Sequence, residues 1–242
     1  MTDYQGLFER THILVGDEGV ARLRSARVLL AGLGGVGSYC VEALARAGVG
    51  NLALVDHDRV AASNLNRQLP ALGSTVGEKK VEVLGARVRD INPGCNLTLV
   101  DAFIRPDDMP GLLAPGFDFV IDAIDSLNCK TALVEVAWKS GIPVASSMGA
   151  GGRLDPTRIR VGDLYETEIC PLARHLRKRL RRRGVGPGVR AVYSVESPLP
   201  PLPPEPTGQG RDRAVNGTIS YLPALFGLTL AGLVVRRLLE RA

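Results

Sequence analysis

Short apolar runs alternate with amphipathic stretches through the first 150 residues, and this rhythm sets the expected elements. Residues 17–25 read as a short helix, followed by a buried strand over Arg27-Val28-Leu29-Leu30-Ala31. A glycine-rich turn leads into a helix from Val36 to Ala47, and a second strand, Leu52 to Val55, ends at Asp56. A polar loop from His57 to Ser74 precedes a long helix, Glu78 to Ile91, closed by the turn Asn92-Pro93-Gly94. Strands at Leu97–Val100, Phe117–Ile121 and Ile142–Ser146 then alternate with helices near 107–113 and at Leu127–Lys139. Strands that are apolar throughout, joined by helices, predict parallel pairing through right-handed crossovers. The fold class is therefore α/β: a Rossmann-like, doubly wound, mainly parallel sheet with ligands at the carboxyl ends of its strands.

The remainder reads differently. Residues 157–163 and 189–195 look like antiparallel strands flanking a basic helix, Pro171 to Arg183. A Pro-rich segment, SPLPPLPPEPTGQGRD, favours an extended, mobile crossover loop. We divide the chain into a core with its N-terminal helix (1–150) and an extension of the same domain (151–242). Residues 221–235 are nearly all apolar but fall short of the ~20 residues of a spanning helix. A buried C-terminal helix is expected over 221–239, with peripheral membrane contact as the alternative.

Composition narrows the class. Hydrophobic residues make up 45% of 242, enough for a sizeable core, and the net charge of +5 is mild evidence for an anionic partner. Cys40, Cys95, Cys129 and Cys170 are widely spaced, so a paired-cysteine zinc site is not expected. No signal-peptide pattern opens the chain, and a cytoplasmic protein with reduced thiols is the simplest reading.

The chemistry starts at Gly32-Leu33-Gly34-Gly35-Val36-Gly37-Ser38, a turn between strand and helix that lets backbone N–H groups meet phosphate. Asp56 sits where a ribose-binding acid belongs. These features alone also describe a nicotinamide dehydrogenase. Asp58, Asn64, Asn66, Arg67 and Gln68 follow closely, and Lys80 lies on the next helix. Two added cations at a phosphate turn suit a triphosphate whose pyrophosphate must leave. Arg174, Arg177, Lys178, Arg179, Arg181, Arg182 and Arg183 fall in an acid-free run, a density that calls for an anion such as an RNA backbone. Arg190 and His175 are weaker candidates for the same contact.

The segments AGLGGVGS, LVDHDRVAASNLNRQ, VGEKKVE and VIDAIDS resemble the ubiquitin-activating/ThiF/MoeB/HesA superfamily. SMGAGGRLDPTRIRVGDL, CPLARHLRKRLRRRG, YSVESP and YLPALFGLTLAGLVVRRLL are similar to its tRNA threonylcarbamoyladenosine dehydratase branch. The resemblance implies ATP and Mg2+, a homodimer and a tRNA substrate. It implies ATP contacts at Gly32, Gly34, Gly35, Gly37, Ser38, Asp56, Asn66, Arg67 and Lys80. It also implies a catalytic set of Arg10, Arg67, Lys80 and Asp125, with Asp125 at the metal and Arg10 crossing to the partner's ATP. The basic run then becomes the tRNA contact, with Arg174, Arg177, Lys178, Arg181 and Arg182 as its leading residues. Adenylation of a sulfur-carrier protein's C-terminal glycine is the alternative; the missing cysteine pairs and the basic helix count against it. A non-catalytic partner subunit is a further reading, opposed by the complete Arg67, Lys80 and Asp125 set.

Overall fold

A computed structural model describes residues 6–205 and 213–240. The helices are α1 (Glu9–Ser25), α2 (Gly37–Ala47), α3 (Lys80–Ile91), α4 (Met109–Leu113), α5 (Leu127–Lys139), α6 (Pro171–Arg182) and α7 (Tyr221–Leu239). The strands are β1 (Arg27–Ala31), β2 (Asn51–Asp56), β3 (Asn96–Asp101), β4 (Phe119–Asp122), β5 (Val144–Ser147), β6 (Ile159–Asp163), β7 (Arg190–Ser194), β8 (Leu202–Glu205) and β9 (Arg213–Val215).

Seven strands form one sheet in the order β3-β2-β1-β4-β5-β7-β6, parallel except where β6 pairs antiparallel to β7. The order reverses at β1, so a crevice opens between β1 and β4 at their carboxyl ends. Both faces are covered because strand residues alternate between two cores. Val28 and Leu30 pack with Val41, Leu44, Leu84 and Phe226 on one side. Leu29 and Ala31 pack with Leu133, Ala137, Leu176 and Leu180 on the other. Because β7 pairs with β5, residues beyond 150 complete the main sheet.

Two expectations change. The first helix begins at Glu9, well before residue 17, and is kinked at Gly16, where the backbone leaves helical geometry. The Pro-rich segment is not all extended loop: β8 pairs with β9 in a small antiparallel ladder. Its residues 206–212 lie outside the described residues. All four cysteines are free.

The last helix supports the second. α7 buries Leu222, Pro223, Phe226, Gly227, Leu230, Ala231 and Val234, and lies against α2. A Cβ at Gly227 would come within 2.2 Å of the Val36 carbonyl oxygen, so no other residue permits this approach. α7 therefore buttresses the helix that starts at the glycine turn.

Candidate active site

The strand ends around β1 frame a cavity of about 670 Å³, within the range of small-molecule sites. Gly32, Gly34 and Gly35 form one wall, after β1. The turn is tight: Gly37 packs so closely on Gly32 that an added Cβ would lie 1.7 Å from the Gly32 carbonyl oxygen. Gly37→Ala is therefore expected to cost about 1–3 kcal/mol by overpacking and to weaken nucleotide binding, as urea unfolding and ATP titration would measure.

Asp56 fixes the turn to the neighbouring strand. Its Oδ2 accepts from the Leu33 N–H (2.6 Å) and its Oδ1 from the Asp58 N–H (2.8 Å). Each oxygen keeps a lone pair, so ribose hydroxyls can still donate to it. Lys80, 4% exposed at the start of α3, donates to Asp58 Oδ2 at 2.7 Å. Arg67 reaches the same wall, steadied by the Ser63 carbonyl and Asn66 Oδ1, both at 2.9 Å. Gln68 is buried there, its Oε1 without a partner.

Asp58 and Asp125 also lie on the wall. Asp125 is exposed, just beyond β4. Its neighbour in the motif, Asp122, has the opposite fate. It is wholly buried, accepting from Lys130 Nζ (2.6 Å) and Ser146 Oγ (2.5 Å). Lys130, also wholly buried, donates in addition to the Ser147 carbonyl.

Five expected site residues stay off the wall. Gly37 and Ser38 are packed inside α2, with Ser38 Oγ accepting from the Leu69 N–H. Asn64 shapes its own loop by accepting from the Ala61 N–H, and Asn66 donates to the Thr218 carbonyl. Arg10 sits two residues after Phe8, which packs near Gly48 behind α2, at the far end of the sheet. Phe103, Ile104, Met109 and Leu112 supply an apolar wall suited to a base. Their position just after β3, at the ligand edge, is the signal that could have found them.

The basic helix divides. Ala173, Leu176 and Leu180 face inward, and Arg177 goes partly with them, donating to Thr167 and the Leu164 carbonyl. Arg177 thus clips α6 to the segment before it through one guanidinium nitrogen, and is only partly exposed. Arg181 lies over the Tyr165 ring at 5.2 Å, Arg179 donates to Asn128 and Arg183 pairs with Glu135. Arg174, Lys178 and Arg182 are exposed on the outer face.

Asp56, His57 and Asp58 bring possible ligand atoms within 4.8 Å of one another. Lys80 already neutralises Asp58, so this cluster makes a poor cation site.

Against known families, residues 8–242 match the ThiF family model. The chain belongs to the ThiF family. Among ThiF-related proteins, it is 39% identical over 240 residues to the tRNA threonylcarbamoyladenosine dehydratase of Bacillus subtilis, covering 96% of this chain and 94% of the relative. The Escherichia coli tRNA threonylcarbamoyladenosine dehydratase is 36% identical over 252 residues, covering 97% and 94%. A crystal structure of the E. coli enzyme in complex with ATP superposes with a TM-score of 0.88 at 36% identity, covering 98% and 96%.

Proposed function

We infer that this chain is an ATP-dependent tRNA threonylcarbamoyladenosine dehydratase. The observation that carries the reading is the meeting of the glycine turn, Arg67, Lys80 and Asp125 in one cavity at the switch point of the sheet. The near full-length likeness to dehydratases names the acceptor.

The residues suit the reaction. A carboxylate oxygen of the threonylcarbamoyl group attacks the α-phosphorus of ATP, and the bond to pyrophosphate breaks. The turn's N–H groups and the cations of Arg67 and Lys80 offset the charge gathered on the phosphates. Lys80 is held ready by Asp58 and can exchange that carboxylate for phosphate oxygen. The acyl-adenylate then meets a nucleophile within the same modified nucleoside; AMP leaves with the carboxylate oxygen, and the nucleoside has lost one water. No cysteine thioester is required.

Magnesium fits Asp125, which lines the cavity and makes no hydrogen bond among the described residues. When bound there it supplies charge neutralisation at the phosphates. A homodimer fits the N-terminal helix: Arg10 lies away from its own cavity, and beside it Ile13 and Leu14 are 67% and 86% exposed. A partner's Arg10 would complete the site. Arg174, Lys178 and Arg182 present a cationic face to tRNA, and Arg190 extends it to a cleft at the opposite end of the sheet that includes Arg236 and Arg237. Membrane contact is limited to the outer face of α7, where Leu228 is exposed, because the inner face is in the core. Four free cysteines agree with a cytoplasmic setting.

The test is pyrophosphate release from ATP and magnesium with threonylcarbamoylated tRNA, unmodified tRNA or none. Release that requires the modified tRNA, with loss of one water from the nucleoside by mass, is expected. Release without dependence on the modification sinks the reading.

A further inference from the structure

One buried cation remains without a task in this scheme. Lys80, Lys130 and Arg153 are the buried cationic side chains among the described residues. Lys80 is paired with Asp58 and Lys130 with Asp122. Arg153, 3% exposed, has no carboxylate partner among the described residues. Its Nε donates to the Glu196 carbonyl (3.0 Å), and its Nη1 to the carbonyls of Gly149 (2.5 Å) and Gly151 (3.1 Å). Its Nη2 is itself buried and has no hydrogen-bond partner among the described residues. The nearby Glu196 carboxylate is engaged by the N–H groups of Leu154 and Asp155.

A guanidinium cannot shed its proton to escape burial, so an unpaired one is costly unless an anion arrives. Arg153 forms part of the cavity wall, together with Gly149 and Gly151. This wall follows β5, on the far side of β4 from the glycine turn. The ATP phosphates have their own cations, Arg67 and Lys80, on the β2 side. An anion at Arg153 is therefore the other reactant.

We propose that Arg153 is the receptor for the acceptor's carboxylate, an inference that rests on the functional reading above. A small shift of the cavity wall bares the buried Nη2 to one carboxylate oxygen while the other attacks the α-phosphorus. The O–P bond forms, the bond to pyrophosphate breaks, and no proton moves. The anchored oxygen becomes the acyl carbonyl oxygen, still facing Nη2, where negative charge develops as the ring closes. The YSVESP segment thereby acquires a task, since Glu196 holds the arginine through its carbonyl and the following loop through its carboxylate.

The experiment compares wild type, Arg153→Lys, Arg153→Met and Arg153→Ala in the pyrophosphate-release assay. A charge-assisted hydrogen bond implies a KM for modified tRNA raised roughly 10- to 100-fold in the Met variant, with a smaller rise for Lys. Affinity for a non-hydrolysable ATP analogue, by calorimetry, stays within about twofold of wild type, since the nucleotide is held elsewhere. Guanidinium ions added to Arg153→Ala recover part of the rate, which a purely structural role would not show. An unchanged KM in the Met variant, or a parallel loss of ATP-analogue affinity, overturns the assignment. If wild type itself releases no pyrophosphate with modified tRNA, the functional reading falls and this inference falls with it.

Discussion

Asp122→Asn is expected to lower folding stability by about 3–5 kcal/mol, because it leaves Lys130 charged and unpaired in a dry interior. β4 carries Asp122 to the end of the sheet, where Lys130 from α5 and Ser146 from β5 converge on its Oδ2. The pair thus ties two neighbouring strands and the helix that crosses them. A urea titration would read the loss as a lower midpoint with an unchanged slope. Replacing both partners, in Asp122→Asn with Lys130→Met, is expected to recover much of it, since no lone charge is then buried. A single variant as stable as wild type would mean that the pair contributes nothing net.

Three residues later the outcome inverts. Asp125→Asn is expected to leave the melting temperature unchanged, since Asp125 is exposed and makes no hydrogen bond among the described residues. Its pyrophosphate release is expected to fall roughly 10²- to 10³-fold, the scale of losing one electrostatic contact to the transition state, here the magnesium that Asp125 would hold against the phosphates. Stopped assays over a magnesium series would separate weaker metal use from slower chemistry. Full activity in Asp125→Asn would remove this residue from the adenylation step.

The two acids look alike in the sequence, as members of one VIDAIDS motif, and only the fold separates them. Asp122 is the last residue of a central strand and points into the core; Asp125 lies past the turn. The central strands were legible because residues buried on both faces form unbroken apolar runs, such as Val28 to Ala31. α5 was legible over its whole length, Leu127–Lys139. The first helix was underestimated because Gly16 interrupts it. Arg177 could have been separated from its basic neighbours: with a buried stripe at Ala173, Leu176 and Leu180, it falls at the edge of that stripe. The burial of Lys130 and Arg153 had no such local sign. Each depends on carbonyl or carboxylate groups brought from distant segments, Asp122 for one and Glu196 for the other.

The position of α7 bears on how the enzyme comes into being. The glycine turn is complete in sequence by Ser38, yet the helix behind it leans on Phe226, Gly227 and Leu230, near the other end of the chain. A nascent chain emerging from the ribosome therefore carries the phosphate-binding motif long before it carries its support. That support is in place only once Tyr221–Leu239 has been translated and has docked, so truncated translation products would carry the signature of an ATP enzyme without its buttress.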